Sequence, residues 1–166
     1  MKTNISDYIH VFEKLDELGC SYPEGIAILP VNFETATPTT TIEQLRGPFP
    51  IGKLFIMNDV PCSEIRRENE KPVYIAHRSF EWLLPTLFFS AALLSENPAI
   101  VSLSLGVVAN FLTDTFKVTG RKQTGKLDIV IEIEKGKSKT YKKINYEGPS
   151  DEMSKLAEVV KEVLNK

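Results

Sequence analysis

The sequence predicts an α+β fold in which a central apolar helical hairpin packs with short strands and a C-terminal antiparallel β-hairpin is closed by an amphipathic helix. Three observations carry that reading. Residues 83–112, LLPTLFFSAALLSENPAIVSLSLGVVANFL, are the most apolar stretch of the chain and hold one charge, Glu96. Leu127, Ile129, Ile131 and Ile133 alternate with mostly polar neighbours, the two-residue period of a strand with one buried face. Met153, Leu156, Val160 and Val163 then fall on one stripe of a closing helix.

The totals fit a single domain over 1–166, divided into a helix with short strands (1–78), the apolar hairpin (79–118) and the β-hairpin with its helix (121–166). A chain of 166 residues buries about two thirds of its unfolded surface without metals or disulfides. Hydrophobic residues make up 42% and charged residues 25%, the composition of a globular protein and far from that of disorder. Lys and Arg number 20 against 22 Asp and Glu, a formal charge of -2, so the totals point to neither nucleic acid nor an anionic surface. Cys20 and Cys62 lie far apart without C-x-x-C spacing, which predicts reduced thiols and no zinc site. The opening MKTNISDYIHVFEKLDELG lacks the features of a signal peptide, and a cytoplasmic location is expected.

In chain order, residues 6–18 predict a helix with Ser6 as N-cap, Ile9, Phe12, Leu15 and Leu18 on one face, and Gly19 as its stop. GIAILPVNF at 25–33 predicts a strand at an edge or ending at Pro30. TIEQLRG, with Thr41 and Gln44 at capping-box spacing, predicts a short helix ended by Gly47. KLFIMN and PVYIAH, beginning at 53 and 72, predict two more strands around the charged loop DVPCSEIRRENEK.

Within the apolar stretch, Pro85 suits a first helical turn, and Asn97 followed by Pro98 is an N-cap and N1 pair. Two helices joined by SEN are expected. The first, of about ten residues, would be roughly 15 Å long, half of what a bilayer needs; the second, from 98 to about 117, reaches roughly 30 Å. Ser102, Gly106, Asn110 and Thr113 form a small or polar stripe on that second helix, echoed by Thr86 and Ser90 on the first. Such stripes let helix backbones approach closely in soluble cores, in interfaces and in membranes. Ser102, Gly106 and Asn110 are therefore the candidate interaction residues. In the final third, Gly136 marks the hairpin turn, Tyr141 stands out of phase with Ile144 and Tyr146 and predicts a bulge, and Ser150 is the expected N-cap of the last helix.

The strings that touch catalytic motifs are incomplete. GPFPIGK at 47–53 matches the G-x-x-x-x-G-K string of a phosphate loop, but Pro48 and Pro50 remove backbone donors, Leu54 replaces the metal-binding hydroxyl, and the following residues read as strand. SLSLG at 102–106 has Ser102 where a nucleophile elbow needs glycine. His77 with Cys62, Asp59, Arg66 and Arg67 could form an enzymatic site only if the fold gathers them. No catalytic residue, cofactor or metal site is assigned. Between Gly120 and Lys143 eight basic residues face three acidic ones, a basic rim that reads as a solvated strand edge; no nucleic-acid partner is expected.

Residues 126–165, with the junction YEGPSDEM, resemble the small β-hairpin and helix modules found beside effectors of bacterial conflict systems. That resemblance implies a bacterial adaptor that docks an effector or sensor partner. The sequence as a whole predicts a non-enzymatic interaction module that self-associates through surface left exposed by the apolar helices. The competing expectation is a membrane-perturbing effector that releases the 83–116 hairpin; an enzyme built near Cys62 and His77 is the third.

Overall fold

The computed structural model of the chain describes residues 1–46, 51–76, 82–120 and 124–166, with backbone alone at 82, 83 and 119. Its elements are β1 (Lys2–Asp7), α1 (Val11–Leu18), β2 (Ile26–Leu29), β3 (Glu43–Arg46), α2 (Ile51–Met57), β4 (Cys62–Glu64), β5 (Val73–Ala76), β6 (Trp82–Leu83) and β7 (Thr86–Phe89), followed by α3 (Ala91–Glu96), α4 (Ile100–Thr119), β8 (Thr124–Lys135), β9 (Ser138–Pro149), a 3-10 helix (Ser150–Lys155) and α5 (Leu156–Leu164). The class is α+β, as the sequence predicts.

The long hairpin of β8 and β9 organises a mixed sheet. Its strand order is β1-β9-β8-β7-β2-β4, with β6 also paired to β8. The hairpin turns through Gly136 and Lys137 between the paired Lys135 and Ser138. Gly136 has φ 61 and Lys137 has no positive φ, the pattern of a two-residue type II′ turn that matches strand twist. β1 returns the N-terminal segment to the outer side of β9, antiparallel, from Lys2 opposite Glu147 to Asp7 opposite Lys142. On the other side β7 joins β8 in parallel, and the connection between them is the helical segment α3 and α4.

Each face of the central strands carries an apolar core. On one face Leu127, Ile129, Ile131 and Ile133 of β8 meet residues of α2, α4 and α5, among them Phe55, Leu105, Leu112 and Val160. On the other, Val130 and Tyr141 pack with Phe88 of β7, with Val11, Leu15 and Leu18 of α1, and with Phe33 and Ile42 of the following loop. Tyr141 is therefore out of phase because it serves the second core. The register of β8 with β9 runs unbroken from Thr124–Pro149 to Lys135–Ser138, which corrects the expected bulge.

That second core contains Glu132, which is 2% exposed. A carboxylate taken from water needs donors, and Glu132 has two: the Tyr141 hydroxyl opposite it at 2.5 Å, and the Ala91 N–H at the start of α3 at 2.9 Å. Burial and this carboxylate push the Tyr141 phenol well above its ordinary range, so it remains a donor at physiological pH.

The other corrections concern short segments. Residues 2–7 form a strand, and α1 begins after His10, whose ring nitrogen accepts from Glu13 N–H at 3.2 Å; Ser6 caps nothing. TIEQLRG contains strand β3, parallel to β5, while the expected strand KLFIMN lies in helix α2 and the beginning of its exit. β2 does end at Pro30 but is an inner strand between β7 and β4. The first arm of the expected helical hairpin is a strand at Thr86–Phe89 and becomes helical only at Ala91, capped by the Ser90 hydroxyl. The Leu83–Leu87 step spans one residue more than its partner step on β8, Lys126–Ile129, so Pro85 sits in a bulge. Asn97 ends α3, and α4 begins at Ile100. Ser150 starts the 3-10 helix and shares a hydrogen bond with Thr113 of α4 at 2.9 Å instead of capping. Met153, Leu156, Val160 and Val163 are buried as the helical stripe predicts.

Gly25 fixes the start of β2. Its φ is 74, and a Cβ there would stand 2.4 Å from the Pro61 carbonyl oxygen that accepts from Ile26 N–H. Gly25→Ala is expected to cost more than about 1 kcal/mol, read as a lower denaturant midpoint; an unchanged midpoint contradicts this account of the β2 and β4 junction.

Candidate functional site

A helix of α4's length and composition can cover a sheet with one face and must present the other outward. Val101, Leu105, Val108, Leu112 and Phe116 are buried against the sheet. The outward face carries Leu103, 52% exposed, and Val118, 88% exposed, with Val107 half-buried between them. Beside this apolar stripe run Ser102 and Asn110, both exposed, and Gly106, half-buried. A Cβ built on Gly106 meets nothing within 4 Å. The three candidate residues therefore face away from the core, while Thr113, the fourth of the sequence stripe, turns to Ser150. Asp114 is exposed near the helix end.

Ile100–Val118 is long and apolar enough to cross a membrane, and 44% of the residues in that window are buried inside the protein. The strand that precedes it in the 83–116 segment is not separable in the same way. β7 lies between β2 and β8, with Leu87, Phe88 and Phe89 buried. Releasing the segment as a unit would remove an inner strand from the sheet.

The residues named for an enzymatic site are partly gathered. Cys62, Arg66 and Arg67 line an open trough of about 950 Å³ beside β4, whose opposite wall is formed by Ser21–Glu24; His77 lies outside the described residues. Among the described residues, the neighbours of Cys62 do not activate its thiol. Burial, and then the Glu64 carboxylate, push the Cys62 thiol up, whereas a nucleophilic cysteine needs a neighbour that lowers it. The Cys62 Sγ donates to the Gly52 carbonyl at 3.5 Å. Asp59 occupies the left-handed region, φ 58, in the turn after α2.

Arg67 has a structural task that its sequence neighbours concealed. Its Nε donates to the Leu18 carbonyl at the end of α1 at 2.7 Å, and its two terminal nitrogens donate to the Thr40 and Thr37 carbonyls at 2.7 and 2.9 Å, with Glu70 at 3.2 Å. One guanidinium thus ties α1 to the threonine-rich loop. Nothing in the spacing of Glu64, Arg66, Arg67, Glu68 and Glu70 distinguishes this arginine from its exposed neighbour.

Residues 47–50 of the phosphate-loop string lie outside the described residues, and Gly52 and Lys53 belong to α2. A helix, not the expected strand, therefore follows the string, and Leu54 supplies no hydroxyl for a metal. Among the described residues no group of three or more His, Cys, Asp or Glu side chains is placed to hold a metal ion. No family model matches the chain, and no curated protein or solved structure is significantly similar to it.

The Cys62 environment sets a pH test. Since its pKa is raised, the thiolate is scarce at neutral pH, and alkylation of the folded protein at pH 8 is expected to be slower than that of the unfolded chain. Glu64→Gln removes one cause of the shift and should speed the labelling of Cys62. Labelling faster than that of an unfolded thiol contradicts the assignment.

Proposed function

We propose that the protein is a cytoplasmic, non-enzymatic interaction module that self-associates, with the outward stripe of α4 laid against the same stripe of a second copy. Gly106 carries this reading. A glycine inside a helix costs about 1 kcal/mol relative to alanine, and here the space over it is empty, so folding of a single copy gives no reason for it. Close approach of a second helix does, since small residues let backbones meet. Leu103 and Val118, exposed on the same helix, supply the apolar contact, and Ser102 and Asn110 supply hydrogen-bonding groups beside it. On the resemblance read in residues 126–165, the proposed partner beyond a second copy is an effector or sensor of a bacterial conflict system. The competing reading, insertion into a bilayer, has the length of α4 in its favour and requires β7 to leave the sheet.

Two substitutions test the proposal by light-scattering mass and thermal midpoint. Leu103→Asp, at an exposed position, should leave the fold within about 0.5 kcal/mol while lowering the assembled mass. Gly106→Ala should raise the thermal midpoint of the dissociated protein and weaken assembly. A wild-type chain that stays monomeric at every concentration overturns the proposal.

A further inference from the structure

Among the described residues, the two ends of the strand order β1-β9-β8-β7-β2-β4 differ. β4 is a three-residue strand that begins directly after Pro61, a short edge of the kind that discourages pairing. β1 has six residues, each exposed, and pairs with β9 without interruption or proline. Its backbone polarity follows from one bond. Tyr8 N–H donates to the Tyr141 carbonyl at 2.9 Å, in the same register as β1. An antiparallel ladder alternates bonded and non-bonded pairs, so Lys2, Asn4 and Ser6 bond to β9, whereas Thr3, Ile5 and Asp7 turn their N–H and C=O groups to the open side.

A second β1 related by a two-fold axis perpendicular to the sheet can satisfy those groups. The register centred on Ile5 pairs Ile5 with Ile5 of the copy and Thr3 with Asp7 of the copy, and uses both backbone groups of all three residues. The side chains agree with it. Ile5, 44% exposed and the strand's one apolar residue, meets its twin. The Thr3 hydroxyl faces the Asp7 carboxylate, Asn4 faces Ser6, and Lys2 falls opposite Tyr8. No like charges oppose each other, and the strand KTNISD carries one positive and one negative side chain.

We infer that β1 is a second self-association surface, at which two copies of this chain pair edge to edge and continue the sheet. This rests on the proposed self-association and adds a contact distinct from that of α4. Two different two-fold contacts on one chain close into a tetramer or continue as a filament, so the wild-type assembly exceeds a dimer.

The inferred polarity provides a selective variant. Ile5→Pro removes an N–H that makes no bond to β9 and is tolerated at a strand edge, whereas Asn4→Pro removes a ladder bond within one copy. The chain of residues 1–166 is followed by light-scattering mass over a concentration series, with thermal midpoints alongside. At dilutions where the copies are dissociated, Ile5→Pro should keep the wild-type midpoint and Asn4→Pro should lower it; at higher concentration Ile5→Pro should stop at the dimer held by α4. Ile5→Lys, which opposes two cations at the axis, should behave as Ile5→Pro does. Leu103→Asp should leave the β1 dimer, and the combination with Ile5→Pro should give a monomer. A labelled KTNISDY peptide should bind Ile5→Pro more weakly than Leu103→Asp, and a scrambled peptide should bind neither. Wild type that is monomeric throughout overturns the self-association reading itself. An assembly that Leu103→Asp disrupts but both Ile5 variants leave intact overturns the β1 inference alone. Equal binding of ordered and scrambled peptides also overturns it, by making the edge a general strand acceptor.

Discussion

The structure depends on a hairpin, β8 with β9, whose two faces must both be kept from water. A hairpin alone is marginal in water, and this one gains stability because each face has its own apolar layer, α2, α4 and α5 on one side and α1 with the Phe33 loop on the other. That constraint explains the placement of polar side chains within the sheet. Glu132 is held between Tyr141 and the start of α3. Asn145 donates to the Asp128 carboxylate across the ladder at 2.7 Å, and the Lys143 ammonium lies 3.5 Å from Asp128 and 3.6 Å from Glu34. Polar groups on the α1 side of the hairpin are thus paired with one another where that layer thins.

The same constraint separates what the sequence discloses from what it hides. Leu127 to Ile133 alternate cleanly because their polar neighbours occupy the less apolar face, and the strand is visible at once. Tyr141 breaks the phase only for a reader who expects one dry face. β1 is harder, since its residues are exposed and it owes its strand conformation to β9, far away in the chain; Ile9, Phe12 and Leu15 impose a helical rhythm that runs back over it. LLPTLFF and KLFIMN exchange their expected states because a short apolar run has no period long enough to distinguish a buried strand from a buried helix. The β3 strand pairs with β5 across many residues, a non-local contact that outweighs the capping-box spacing of Thr41 and Gln44.

The candidate surfaces follow from how the layers end. α4 is apolar around much of its circumference but has the sheet on one side only, so Leu103 and Val118 remain outside with Gly106 between them in sequence. The stripe Ser102, Gly106 and Asn110 is legible in the sequence as a spacing; its direction is not, because a small-residue stripe packs equally well inside or outside a fold. Arg67 illustrates the opposite case. Its partners are backbone carbonyls of α1 and the threonine-rich loop, and carbonyls leave no signature in composition.

Amide hydrogen exchange tests the account most directly. If the two-faced hairpin is the organising unit, the β8 amides from Ile129 to Ile131 exchange only through global unfolding and are the slowest set in the protein, with the amides of α4 released at equal or lower free energy. Protection that persists in α4 after β8 has exchanged would place the organising contact in the helical layer and contradict the account.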